Sequence, residues 1–367
     1  MKYGRTLNEL AMEITRQQEA KKDYLVNTQF MHMDADKNLA QMSVRNDKTG
    51  ETFIFGINEI AHNQIGTALK IPASYYDYMR EKNPQLLAEN VNSWFQKEPK
   101  DRMLRTMVYE NSDQRMLRAV VGPTYNPIDN YPVASTVLPI IADMPGAMIE
   151  SCEITEQRMY LKVVNPRLTK EVVPGDIVQS GIIISNSEVG MGSLIIQPLV
   201  YRLVCKNGMV VNEAGQRRRH VGRRNVADED FSLYTDETRR LDDMALLAKI
   251  RDTVRAVVDE TQFEKVVKMM RDAKDAKITT SNIPAMVELT GNDFGFSKAE
   301  GESILNYLIR GNDLSLYGMA NAVTRAAQDV ESYDRSTAME GIGYNILGMS
   351  PSKWNKLNAV SAVATVA

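Results

Sequence analysis

The chain has 367 residues and a formal net charge of −3, with 43% hydrophobic and 25% charged residues, so one large domain or two ordinary ones can bury a real core. Its apolar runs are strand-sized, below the roughly 18 residues a membrane span needs, and the first 24 residues carry charge throughout with no secretion-signal core. Two cysteines, Cys152 and Cys205, and three scattered histidines argue against a disulfide framework or a His/Cys zinc site and suit a reducing cytoplasm.

Leu7, Leu10, Ala11 and Ile14 lie at helical spacing, which predicts an amphipathic helix or arm within residues 1–27. Strands are predicted at Thr28–Met33, Leu39–Arg45 and Glu51–Phe55, the last two joined by the turn residues Asn46 to Gly50. Asn58 reads as an N-cap, and short helices follow it and Pro72; the second carries Tyr75, Tyr76 and Tyr78 but lacks the basic side chains of a DNA-reading helix. Pro84–Gln96 reads as a helix, Met103–Glu110 and Arg115–Val121 as paired strands, and Tyr131–Ile141 as a helix interrupted at Pro139. Glu150–Ile154 and Met159–Val164 form a further hairpin, and two apolar runs, Ile182–Ile184 and Leu194–Val204, flank the polar loop Ser185–Ser193. Cys205, at the end of the second run, is expected to be a buried thiol.

From Asp228 the pattern turns helical: Leu241–Ala276, a helix opened by the capping box Ser297 to Glu300 and closed at Gly311, one from Leu314 to about Asp329, and one over Thr337–Leu347. The expected fold is α+β: a twisted, largely antiparallel sheet with helices, followed by a helical C-terminal portion. The divisions are an arm (1–27), an α+β core (28–230), a helical portion (231–347) and a flexible tail (348–367).

The charge is not evenly spread. Between Arg202 and Arg224 stand seven Arg and Lys against one acid, Glu213, a local balance of 7 − 1 = +6. Arginine's planar fork binds phosphate bidentately and stacks on bases, so this stretch reads as a polyanion site suited to a single nucleic-acid strand. The candidate contacts are Arg202, Lys206, Arg217, Arg218, Arg219, His220, Arg223 and Arg224, with Ser185, Asn186 and Ser187 as neutral partners. A second basic group comprises Arg102, Arg105, Arg115 and Arg118. No phosphate-cradling GxxxxGK[ST] loop, dinucleotide fingerprint or GxSxG elbow occurs, so the reading needs no cofactor and no nucleotide hydrolysis.

The segments SNSEVGMGSLIIQPLVYRLVCKNGMVV, RRRHVGR and LYGMANAVTRAAQDVESYDRSTAMEGIG, with QIGTALKIPASYYDYM earlier, resemble the family called domain of unknown function 932 over roughly residues 50–347. The resemblance implies a phage- or plasmid-borne protein acting in a bacterial host cell, where replication and recombination functions dominate. In outline the chain is also similar to phage single-strand annealing recombinases, which implies a ring- or filament-forming homo-oligomer that holds single-stranded DNA for pairing, with no membrane partner. Two other readings stand beside it. One is an oligomeric structural or host-interaction protein whose arginines meet an acidic partner; the other is a metal-dependent nuclease using Glu188 or Asp228.

Overall fold

The computed structural model describes residues 1–36, 39–108, 115–125, 127–212, the backbone of 216–218, parts of 241–254, and 260–360. The architecture is α+β: two six-stranded sheets with helices and a helical C-terminal region. Where one sheet was expected there are two separate ladders.

The chain opens with α1 (Leu7–Ala20), started by a capping box in which Thr6 and Glu9 satisfy each other's backbone N–H. It leads directly into β1 (Lys21–Asn27), a 3-10 turn (Thr28–Phe30) and β2 (Met31–Asp36). The strand expected at Thr28–Met33 is therefore this turn plus the start of β2. Then come β3 (Leu39–Arg45), β4 (Thr52–Ile57), α2 (Glu59–Ala68), α3 (Ala73–Lys82), α4 (Pro84–Lys97), β5 (Asp101–Val108) and β6 (Arg115–Val121). Asn58 caps α2 as expected, accepting from the Ala61 N–H at 2.9 Å.

The first sheet runs β1-β5-β6-β4-β3-β2 and contains a parallel pair, β4 with β6. Met42, Phe55, Leu104 and Leu117 on one face pack with Ile65, Tyr76, Leu87 and Val91 of α2–α4. The β2 edge is closed by a side chain: the Asn92 carboxamide accepts the Met33 N–H (2.7 Å) and donates to the Met33 C=O (2.8 Å), as a paired strand would.

The second sheet is an antiparallel meander. α5 (Asn130–Asp143) precedes β7 (Met148–Ile154), β8 (Met159–Glu171), β9 (Ile177–Asn186), β10 (Leu194–Arg202) and β11 (Asn207–Val210), in spatial order β11-β10-β9-β8-β7. A three-residue strand, β12 (Gln216–Arg218), also pairs with β10. Alternation puts Leu161, Val163, Ile182, Ile184 and Ile196 on one face, where they pack with Leu10 and Ile14 of α1, Val133 and Val137 of α5, and Ile250 and Val254.

The C-terminal helices are α6 (Glu260–Asp275), α7 (Ile283–Phe294), α8 (Lys298–Gly311), α9 (Leu316–Ala326), α10 (Tyr333–Leu347) and α11 (Pro351–Asn358). The helix expected over Leu241–Ala276 is seen as α6 and as helical residues between 241 and 254; residues 255–259 lie outside the described residues. The expected flexible tail contains α11, whose Trp354 and Leu357 are buried in the helical core. That core also takes in Val178, Val200 and Met209 of the meander, so the helices and the second sheet share one apolar interior. α9 and α10 pack closely because Gly343 carries no side chain: a Cβ there would lie 2.3 Å from Thr324 Cγ2.

α10 also covers the opposite face of the meander. The Tyr160 and Tyr333 rings lie 5.2 Å apart, and the Tyr333 hydroxyl meets Ser151 Oγ at 2.6 Å. Lys162 Nζ bonds Glu340 Oε2 at 2.7 Å, with both side chains fully buried. Cys205, expected to be buried, is half-exposed in the β10–β11 turn, while Cys152 is buried. No described helix is long and apolar enough to cross a membrane.

Candidate nucleic-acid interface

The polar residues at the end of β9 and just after it lie inside the protein, although the loop reaches the surface at Gly190 and Met191. Ser185, Asn186, Ser187 and Glu188 are all buried. Asn186 Nδ2 donates to the Ile128 C=O (2.7 Å) and to Asn130 Oδ1 (2.9 Å). Ser187 Oγ accepts from the Met191 N–H, and its carbonyl accepts from the Tyr125 hydroxyl. Glu188 uses both carboxylate oxygens, one accepting the Asn130 N–H (2.6 Å) and the other bonding Arg118 Nη1 (3.1 Å). The residues expected as neutral contacts to a strand are thus buried, Asn186 and Ser187 within internal hydrogen bonds, and Glu188 is an ion-pair partner.

This loop fastens the two sheets together through the second basic group. Arg105, on β5, is 1% exposed; it donates to the Glu188 C=O at 2.8 Å and pairs with Asp129 at 2.7 Å and Asp23 at 3.1 Å. Burial works against its charge, but Asp129, Asp23 and Glu188 outweigh that and hold the guanidinium above its ordinary value. Burial likewise opposes the Asp129 carboxylate, yet Arg105 and Lys21, which bonds it directly, leave it below the usual range. For Asp23, burial, with the neighbouring Asp129 charge, outweighs Arg105 and Lys21 and lifts the carboxyl above that range. Arg115 instead lies over the Phe53 ring, 4.8 Å from its centroid.

The described residues of the arginine-rich stretch do not form one continuous track. Arg202 closes β10 and makes a two-bond fork with Asp176 at 2.6 and 2.8 Å. Lys206 is exposed in the following turn. β12 joins the opposite end of β10, with Ile195 facing Arg217 and Leu194 facing Arg218. Eight residue steps separate Leu194 from Arg202, about 26 Å along a strand. Arg202 and Lys206 are therefore remote from Arg217 and Arg218. Arg219, His220, Arg223 and Arg224, like Asp228, lie outside the described residues.

β11 and β12 follow one another along the same side of β10, so among the described residues the arginine-rich stretch begins on the outermost strand of the meander. The edge of the meander where β12 pairs with the start of β10 is therefore the candidate interface. Sequence pattern identified the stretch, but the separation of Arg202 from it follows from strand pairing alone.

A family model described as "Domain of unknown function (DUF932)" matches residues 118–342, from Arg118 on β6 to Ile342 on α10. The matched span holds the whole meander, the β9–β10 loop and most of the helical region that packs on it. No curated protein and no solved structure matches the chain.

Proposed function

The chain belongs to the family of domain of unknown function 932, and from its own residues we propose that it binds single-stranded DNA through the arginine-rich stretch that begins on β12. Binding needs no nucleotide, and the bound strand is presented for annealing by a homo-oligomer. One observation carries the reading: five arginines and no acid occupy positions 217–224, and the stretch starts on a strand that pairs with β10 on the side away from β9. Of the other arginines in the two basic groups, Arg105, Arg118 and Arg202 are taken internally by carboxylates. An arginine run with no acid among its own eight positions, starting at a sheet edge, suits phosphate, and guanidinium planes also stack on unpaired bases.

The experiment is fluorescence anisotropy of labelled single-stranded and duplex oligonucleotides of equal length, without ATP or metal. The wild type should bind the single strand more tightly, and Arg217→Ala/Arg218→Ala/Arg219→Ala should bind it far more weakly while its melting temperature is retained. Absence of binding to either form at low salt rejects the proposal. Accelerated pairing of complementary oligonucleotides by the wild type alone supports annealing.

A further inference from the structure

Arg158 sits in the β7–β8 turn, outside the arginine-rich stretch, and its partners are unlike those of the internal arginines. Its Nη2 donates to the Met191 C=O at 2.8 Å in the β9–β10 loop. The seat depends on Gly192, where a Cβ would fall 1.5 Å from Nη2. Among the described residues Arg158 makes no salt bridge, whereas Arg105, Arg118 and Arg202 each do. The Asp334 carboxylate of neighbouring α10 is taken by the Tyr160 and Thr155 hydroxyls. One N–H of a five-donor fork is thus used on a backbone carbonyl, and no described carboxylate pairs with the charge.

The strand register links this guanidinium to β12. Tyr160 faces Ser185, Ser185 faces Ile195, and Ile195 faces Arg217, so one row crosses β8, β9, β10 and β12. Three strand spacings span about 14 Å. Arg158 lies two residues beyond Tyr160 and reaches over the β9–β10 loop, toward β10 and the end that β12 joins. Met191, on the same loop, is 43% exposed.

We infer that Arg158 is a further phosphate contact of the same strand-binding surface, extending it from β12 across the end of the meander to the β7–β8 turn. This rests on the single-strand reading above. Seating on Gly192 presets the guanidinium, so less side-chain freedom is lost on binding than for an arginine waving in solvent.

The test is anisotropy with a labelled oligo-dT probe across a salt series. Arg158→Gln, which keeps a donor for the Met191 carbonyl but no charge, should bind about tenfold more weakly. Its log–log salt slope should be shallower by about 0.7, the share of one phosphate. Arg158→Lys should restore the slope, because the charge returns. Gly192→Ala, which unseats the guanidinium without removing it, should weaken binding while leaving the slope near the wild-type value. Melting curves confirm that each variant is folded. Wild-type binding with an Arg158→Gln affinity and slope unchanged overturns this inference alone; no wild-type binding overturns it together with the reading it rests on.

Discussion

Replacing Lys162 by methionine leaves the Glu340 carboxylate buried without its cation, in a site where both side chains are 0% exposed. Breaking a buried pair from one side costs about 3–5 kcal/mol, because the remaining charge loses its partner but keeps its desolvation. The pair is also incompletely satisfied: Glu340 Oε2 holds Lys162, while Oε1 has no hydrogen-bond partner. Its net contribution to stability should therefore be small. Lys162→Met and Glu340→Met should each destabilise by about 3–5 kcal/mol, and the double variant should lie within about 1 kcal/mol of wild type or above it. Unfolding entropy for a chain of this length is roughly 0.8 kcal/mol/K, so a 4 kcal/mol loss lowers Tm by about 5 °C. Urea titrations of the four proteins complete the cycle. Additive losses in the double variant, with no coupling, would refute the reasoning.

Arg105→Met should cost about 3–5 kcal/mol in urea unfolding, since it leaves Asp23, Asp129 and the Glu188 carbonyl without their shared donor; a loss below about 1 kcal/mol would contradict its role in joining the sheets. Burial beside Arg80 lowers the His62 pKa to about 4 from an ordinary 6.5, and its Nδ1 lies 2.9 Å from the Tyr76 hydroxyl. The folded state resists protonation that the unfolded chain accepts, so this stabilisation is full above pH 6.5 and is lost as pH falls toward 4. Between pH 7 and 5 the loss should be about 2 kcal/mol, and His62→Gln should remove that part of the pH dependence.

Local signals in the sequence carried far. Asn58 at the start of α2 and Ser297 with Glu300 at the start of α8 make the capping bonds their identities imply. The β7–β8 hairpin and the β9 and β10 strands were visible as apolar runs. β1 was not, because Lys21-Lys22-Asp23-Tyr24 shows no clean alternation and becomes a strand only by pairing with β5. α11 was passed over although Ser350 and Pro351 carry a start signal, since Trp354 and Leu357 are its only large apolar residues. Ser185 to Glu188 looked like a surface loop because their partners come from far away in the chain. Arg105 lies 83 positions from Glu188, and Asn130 lies 58. Polarity reports a need for hydrogen bonds; only the fold tells whether water or protein meets it.

The central claim, that the stretch beginning on β12 holds phosphates of a single strand, is tested most directly by how affinity responds to salt. Anisotropy titrations with one oligonucleotide from low to moderate ionic strength give that slope. The five arginines of positions 217–224 should contribute about −3.5 to the log–log slope, of which about −2.1 is lost when Arg217, Arg218 and Arg219 are changed to alanine. A wild-type slope near zero, or one that the triple substitution leaves unchanged, contradicts the account.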